Sequence, residues 1–259
     1  VIQVDRKGAH LGRRHPIDLG VVGDVLPTLQ ALLPLLEERT EHGYLEECLK
    51  VRQKTLKTLA HDQRHADSEL IHPQYLTHLL DKHASADALF TADGGSPMVW
   101  ILRHINVNGS RRTLTSLRHG TMANAMPQAL GLQKAYPGRQ VISMSGDGGL
   151  AMLLGDLLTA VQENLPIKVV VYNNASLNFV QIEQKVEGLL DNFTSLHNPD
   201  FGKLAEVIGF YGRQVSQGDE LEEAVQAFLA HPGPALLDVK VNPEELVMPP
   251  KVEFSQVSN

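Results

Sequence analysis

From residue 73 onward the chain alternates, almost without interruption, between helix-patterned segments and short strand-patterned ones. Helix patterns over 73–83, 96–103, 122–136, 151–163, 179–186, 200–209 and 218–230 interleave with strand patterns over 87–92, 113–117, 140–145, 167–172, 211–215 and 235–241. Alternation of this kind predicts a mostly parallel sheet with helices on both faces, a doubly wound α/β fold.

Before residue 70 the pattern differs. Val1-Ile2-Gln3-Val4-Asp5 alternates apolar and polar residues and predicts a strand ending in a carboxylate. A strand with nothing before it needs partners, so residues 1–42 are read as the closing part of a domain begun elsewhere in a longer protein. Leu26, Leu29, Leu32, Leu33 and Leu36 recur at helical spacing and predict a helix over 25–38, with Asp24 placed to cap it. Residues 43–69 carry Tyr44, Leu45, Leu49, Leu56 and Leu59 among charged neighbours, the narrow apolar stripe of a helical connector. The boundary to the α/β domain, residues 70–248, is placed near Leu70. The polar tail over 249–259 opens on Pro249-Pro250 and is expected to run over the surface.

With 259 residues, 42% of them hydrophobic, the chain has material for a large core, and whole-chain disorder is excluded. The 23 Lys and Arg against 30 Asp and Glu leave a net charge of −7, so no basic field exists to hold nucleic acid or an anionic membrane surface. No run approaches the roughly 20 apolar residues of a membrane-spanning helix. Cys48 is the only cysteine and cannot form an internal disulfide, which fits a reducing, cytoplasmic setting.

Chemistry concentrates where strand Val141-Ile142-Ser143-Met144 runs into Ser145-Gly146-Asp147-Gly148-Gly149. Glycines let backbone approach a ligand closely, and the following helix offers N–H groups to an anion such as phosphate. A carboxylate in such a cradle repels the anion unless a cation lies between them, so Asp147 points to a bound divalent metal, with Mg²⁺ the natural choice. The next strand, Ile167-Lys168-Val169-Val170-Val171-Tyr172, ends in Asn173-Asn174, one crossover later. Strands joined by one crossover often lie side by side, which places Asp147 and the Asn174 amide oxygen, both hard ligands, at neighbouring strand ends.

The pairing of Gly146-Asp147-Gly148 with Asn173-Asn174 resembles the thiamin diphosphate motif of enzymes that decarboxylate 2-oxo acids. The run His119-Gly120-Thr121-Met122-Ala123-Asn124-Ala125-Met126-Pro127-Gln128-Ala129-Leu130-Gly131 resembles that of the bacterial quinone-linked pyruvate oxidases, as does Leu153-Leu154-Gly155-Asp156. Ile2-Gln3-Val4-Asp5 through Val22-Gly23-Asp24 is similar to the end of the central FAD-binding domain in the same enzymes, and the similarity continues to about Pro250.

The resemblance implies Mg²⁺ ligation by Asp147, Asn174 and the main-chain carbonyl of Ser176, with Gly148 and Gly149 holding the diphosphate. It implies that Met122 sits beneath the cofactor, that main-chain groups of Gly120 and Met122, with Thr121 between them, bind the pyrimidine, and that Leu177, Asn178, Phe179 and Val180 line the thiazolium side. Asn178 stands where the family usually has glycine; Asn tolerates left-handed backbone, so the loop is expected to keep its shape. Asp5 is implied as a contact for the adenosine part of FAD. The implied enzyme oxidises pyruvate, or another 2-oxo acid, to acetate and CO2 and passes electrons through FAD to a quinone. It is implied to be a homo-oligomer, dimer or tetramer, cytoplasmic or, in its full-length form, peripheral at the inner membrane. The family's activating glutamate lies in an N-terminal domain, so no catalytic residue is expected in this chain, which is expected to be inactive alone.

On the residues alone, plainer readings stand beside these. Met122 reads as a core methionine at a helix start, and Asp5 as the start of a turn. His61 and His65, four apart on a polar helix without a third ligand, read as solvated. His119 either faces the site or makes a structural hydrogen bond, and Trp100 packs in a core or an interface. The rival enzymes are acetolactate synthase and other thiamin-dependent decarboxylases or carboligases; the run from His119 to Gly131 favours the oxidase. A rival of another class is a non-catalytic, diphosphate-binding regulatory subunit. A nicotinamide dehydrogenase is disfavoured because no Gly-x-Gly-x-x-Gly turn follows a predicted strand.

Overall fold

The computed structural model describes residues 1–38, 40–62 and 70–245. His65, the side chain of His61 and the tail over 249–259 lie outside the described residues. The chain divides into two compact units, Val1–Lys54 and the remainder from Thr55.

In the first unit, β1 (Ile2–Asp5) finds its partner in β2 (Leu19–Val22), paired in parallel from Ile2↔Leu19 to Asp5↔Val22. The sequence reading did not single out β2, a strand of only four residues. Helix α1 (Val25–Leu32) stops short of the expected residue 38 because Pro34 has no N–H to donate; Leu33–Leu35 tighten into a 3₁₀ turn instead. Asp24 occupies the N-cap position, yet its side chain caps nothing. Its carboxylate pairs with Arg6 Nε at 3.0 Å, and Thr28 Oγ1 donates to its main-chain oxygen. Helix α2 (Gly43–Asp62) is helical where a connector is expected and continues past Lys54, where the first unit ends.

In the second unit, the elements follow in order: α3 (Pro73–His83), β3 (Leu89–Ala92), α4 (Ser96–His104), β4 (Arg112–Thr115), α5 (Ala125–Ala135), β5 (Val141–Gly146), α6 (Asp147–Met152), α7 (Leu157–Gln162), β6 (Lys168–Asn173), α8 (Asn178–Val186), α9 (Phe201–Val207), β7 (Tyr211–Val215), α10 (Gly218–Ala230) and β8 (Ala235–Lys240). The strands form one six-stranded sheet in the order β4-β3-β5-β6-β8-β7, parallel at every pairing. This is the expected doubly wound α/β architecture.

Helices cover both faces because successive strand residues are apolar on both sides. Ile142, Met144, Val170, Leu237 and Val239 pack under α3, α4 and α10, against Leu76, Leu80, Ile101, Val225 and Phe228. Val141, Val169, Val171 and Leu236 pack on the other face, against Met126, Leu150, Leu157 and Phe201. Each such side chain stabilises the fold by roughly 1.5–3 kcal/mol when fully buried.

Two helices differ from their sequence patterns near the strand ends. The helix expected over 122–136 begins at Ala125, because Ala123 takes a left-handed φ of 61° and turns the chain before it. The helix expected over 151–163 starts earlier, at Asp147, and is interrupted: the chain leaves helical geometry at Leu153 (φ −127°) and restarts as α7. Gly148, Gly149 and Gly155 weaken helical propensity across this stretch.

The strand order locates the crevice. From β3 the chain crosses to β4 on one side; from β5 it crosses to β6 on the other. The carboxyl ends of β3 and β5 therefore flank a topological switch point, where open α/β sheets bind their ligands.

Candidate functional site

β5 delivers Gly146 and Asp147 to this crevice, and β6, its direct neighbour with Gly146 opposite Tyr172, delivers Asn173 and Asn174. The two strands are adjacent, as the spacing predicts. Asp147 is 3% exposed. Its Oδ1 accepts from Gly148 N at 2.8 Å; its Oδ2 accepts from Ala175 N at 2.8 Å and from Asn198 Nδ2 at 2.7 Å. Burial pushes the Asp147 carboxyl above the usual carboxylate range, and these donors oppose the shift.

The paired asparagines divide their work. Asn173, 1% exposed, turns into the sheet: its Nδ2 donates to Asp238 Oδ1 at 2.8 Å and its Oδ1 accepts from Asn198 Nδ2 at 2.9 Å. Asn174 lines the cavity, its Oδ1 accepting from Ser176 N at 3.1 Å. The loop after it is shaped by Ala175, whose φ is 54°. Asn178 does not take the left-handed backbone for which the sequence reading allowed. It is the first residue of α8. The bend already made at Ala175 removes any need for one at Asn178.

An open cavity of about 250 Å³ lies over these strand ends. Of the sequence-identified residues, Gly120, Met122, Asp147, Gly148, Gly149, Asn174, Ser176, Leu177, Asn178, Phe179 and Val180 line it. Thr121 is exposed and is not among the lining residues; its carbonyl accepts from Gly94 N at 2.9 Å. His119 is exposed and also outside the lining. Trp100 is buried in the core and touches the cavity from beneath. Met122 is half-buried rather than a core residue. A Cβ placed on Gly148 would stand 2.9 Å from Leu177 Cδ2 and 3.3 Å from Met122 Cε, so the glycine leaves that space to the cavity wall.

Asp5 belongs to the first unit. It accepts from Lys7 N at 2.8 Å, which with nearby His10 holds its carboxyl below the ordinary value, and it makes the turn that the plainer reading describes.

Several cavity-lining or bracing residues were not foreseen. Asp93, 1% exposed at the end of β3, accepts from Ala125 N at 2.8 Å and Gly146 N at 3.2 Å, and burial pushes its pKa up to about 6. Its signal was present: Asp93-Gly94-Gly95 ends a strand and precedes a helix, as Gly146-Asp147-Gly148-Gly149 does. Ser96 Oγ donates to Asn178 Oδ1 at 3.1 Å. Two more carboxylates, Glu183 and Glu245, line the cavity; Glu245 accepts from Gln74 Nε2 at 2.6 Å and lies 2.8 Å from His72 Nδ1. Asn198 had no local signal at all.

The donor set can be tested against a bound anion and a cation. Ser176 Oγ and Asn178 Nδ2 are buried without a partner, in residues that line the cavity. Such groups are rare unless a ligand or water completes them. On Asp147, Oδ2 already accepts two hydrogen bonds and Oδ1 only one, leaving Oδ1 the oxygen with capacity to spare. Among the described residues, no group of three or more His, Cys, Asp or Glu is placed to hold a metal. One carboxylate, one amide oxygen and ligand oxygens suit Mg²⁺, which keeps few protein ligands. Among the described residues, no helix is long and apolar enough to cross a membrane.

A glycine turn at a switch point, with a buried carboxylate and unpartnered polar groups around one cavity, defines an α/β domain with a ligand cavity at its strand ends. Comparison with known proteins gives the family. Residues 93–239 match the thiamine pyrophosphate enzyme, C-terminal TPP binding domain, and the chain belongs to this family. It is 33% identical over 255 residues to YdaP of Bacillus subtilis, a protein described as thiamine pyrophosphate-containing, covering 98% of this chain and 44% of that one. It is 30% identical over 254 residues to the acetolactate synthase isozyme 2 large subunit of Escherichia coli (96% and 44%). It is also 30% identical over 244 residues to a pyruvate oxidase of Lactiplantibacillus plantarum (93% and 40%). The chain thus spans less than half the length of these relatives.

Proposed function

We propose that this chain is the diphosphate-binding, C-terminal portion of a thiamin diphosphate- and FAD-dependent enzyme that oxidatively decarboxylates pyruvate to acetate and CO2, with a quinone as electron acceptor. The observation that carries the cofactor assignment is the buried Asp147, tied to the Asn174–Ser176 loop through Ala175 N, beside the unpartnered Ser176 Oγ and Asn178 Nδ2. Asp147, Asn174 and the Ser176 carbonyl would hold Mg²⁺, and Gly148 and Gly149 would admit the diphosphate. When bound, thiamin diphosphate supplies the electron sink for breaking the carbon–carbon bond of a 2-oxo acid. The chain's own share is to orient the pyrimidine through main-chain groups of Gly120 and Met122 and to keep water from the thiazolium side with Leu177, Phe179 and Val180. Asp5 is assigned to the adenosine end of FAD. The assembly is a dimer or tetramer, cytoplasmic or peripheral at the inner membrane. The activating glutamate comes from another domain, so this chain alone turns over no substrate.

Calorimetry tests the cofactor assignment: thiamin diphosphate binds in the presence of Mg²⁺, and Asp147→Ala abolishes that binding. Undiminished binding by the variant refutes it. The run from His119 to Gly131 favours the oxidase. Likeness to an acetolactate synthase at 30% identity supports a second reading, a carboligase. Supplied with pyruvate, thiamin diphosphate, Mg²⁺ and FAD, the intact protein forms acetate in step with quinone reduction if it is the oxidase. It forms acetolactate without consuming an acceptor if it is the synthase. Formation of neither product points to a regulatory, diphosphate-binding subunit.

A further inference from the structure

Among the described residues no cation pairs with Asp93, which is 1% exposed and has no place in the proposed metal set. Its carboxylate nevertheless joins the two segments on which the cofactor assignment depends. Oδ1 accepts from Ala125 N, the first residue of α5 and the end of the turn that carries Met122; Oδ2 accepts from Gly146 N, the start of the glycine turn. The contacts around it leave little slack. A Cβ on Gly149 would meet Asp93 Oδ2 at 2.3 Å and Ala123 N at 3.2 Å, so carboxylate, Met122 turn and glycine turn converge on one backbone position. On the other side, a Cβ on Gly94 would meet the Gly120 carbonyl oxygen at 2.2 Å, and Gly94 N donates to Thr121 O at 2.9 Å. Ala123, at the centre of the turn, holds a left-handed backbone that is costly for alanine and persists only when its surroundings enforce it.

We propose that Asp93 is a positioning residue: its carboxylate sets the spacing between the Met122 turn and the Gly146–Gly149 turn, and so makes the cavity prefer a ligand that spans both walls over one that touches the glycine turn alone. The inference rests on the cofactor assignment above. On that assignment thiamin diphosphate would reach both walls, whereas inorganic pyrophosphate would reach only the second. Asparagine at position 93 keeps the size and one acceptor but turns a donor toward Gly146 N, which loosens the link without emptying the site. Glutamate keeps the charge but lengthens the reach, changing the spacing itself.

The test is titration calorimetry of the intact protein, with Mg²⁺, against thiamin diphosphate and against pyrophosphate. In Asp93→Asn and Asp93→Glu, thiamin diphosphate affinity falls at least tenfold while pyrophosphate affinity stays within threefold of wild type. General loosening of the fold lowers both affinities together, and that result, or an unchanged ratio, overturns the proposal. If the wild type binds neither ligand, the cofactor assignment itself fails and takes the inference with it. A measurement on the wild type needs no variant to fold: hydrogen exchange at the Ala125 and Gly146 amides is slowed at least a hundredfold relative to open loops. Exchange at open-loop rates overturns the proposal.

Discussion

Adding one methyl group at Gly149 sets two opposed effects against each other. Gly149 lies within α6 and its φ is not left-handed, so Ala is conformationally welcome and would gain about 1 kcal/mol of helical propensity. Sterically it is not. The new Cβ would stand 2.3 Å from Asp93 Oδ2 and 3.0 Å from Asp93 Cγ, against an ordinary contact of roughly 3.5 Å. The carboxylate must retreat by about 1 Å, yet it is pinned by Ala125 N and Gly146 N, and the retreat breaks at least one charge-assisted hydrogen bond worth about 1.5–3 kcal/mol. Overpacking adds a cost of about 1–3 kcal/mol, so the collision wins and Gly149→Ala destabilises by about 2–4 kcal/mol net. Urea denaturation of Gly149→Ala, Asp93→Ala and the double variant checks both size and cause. With the carboxylate gone, only the 3.2 Å approach to Ala123 N remains and the helical gain offsets it, so the double variant is about as stable as Asp93→Ala, a coupling of about 2–4 kcal/mol. A Gly149→Ala variant as stable as wild type, or additive effects in the double, refutes the reasoning.

Further predictions concern the buried ionisable groups and their braces. Asp93 has its pKa raised to about 6, so its protonation stabilises the native state fully below the unfolded value near 3.8 and loses that effect as pH rises through about 6. From pH 7 to pH 5 wild type therefore gains roughly 1 kcal/mol relative to Asp93→Asn, measured as the difference between their urea midpoints. Lys168, 3% exposed, donates to the carbonyls of His231 and Gly233, and burial lowers its pKa to about 8. Between pH 8 and 10 the unfolded chain holds more protons on this group, so wild-type stability rises across that window; Lys168→Met lacks the rise, and identical profiles would rule the effect out. Asn198→Ala removes the bridge between Asp147 Oδ2 and Asn173 Oδ1 and costs about 1–3 kcal/mol, read from thermal unfolding without ligand.

Much of the architecture was legible locally. The strands around Val141–Met144 and Val169–Val171 announce themselves because both alternating faces are apolar, a pattern demanded by a sheet covered on two sides. Gly146-Asp147-Gly148-Gly149 and Asn173-Asn174 were legible as a pair because a single crossover separates them, and β5 and β6 are indeed neighbours. Boundaries were less legible where long-range contact overrode local pattern. The apolar run from Met122 suits a helix, but the turn that packs against Gly149 holds Ala123 left-handed and delays α5 to Ala125. The leucine stripe suits a helix to residue 38, but Pro34 ends it, a local signal that periodicity alone overlooks.

Residue types and their spacing were thus sufficient for the fold class and for placing a glycine turn and hard oxygen donors at two neighbouring strand ends. The order of the strands decided everything that depends on residues far apart in the chain. It brought Asp93 to Gly146, 53 positions away, and Asn198 to Asp147, 51 away. It also turned Asn173 inward to Asp238 while leaving Asn174 on the cavity. Local sequence carries propensity and periodicity, which act over a few residues. A buried carboxylate's partners are instead set by which backbone amides the packed sheet places beside it, and that is decided only when the whole sheet has formed.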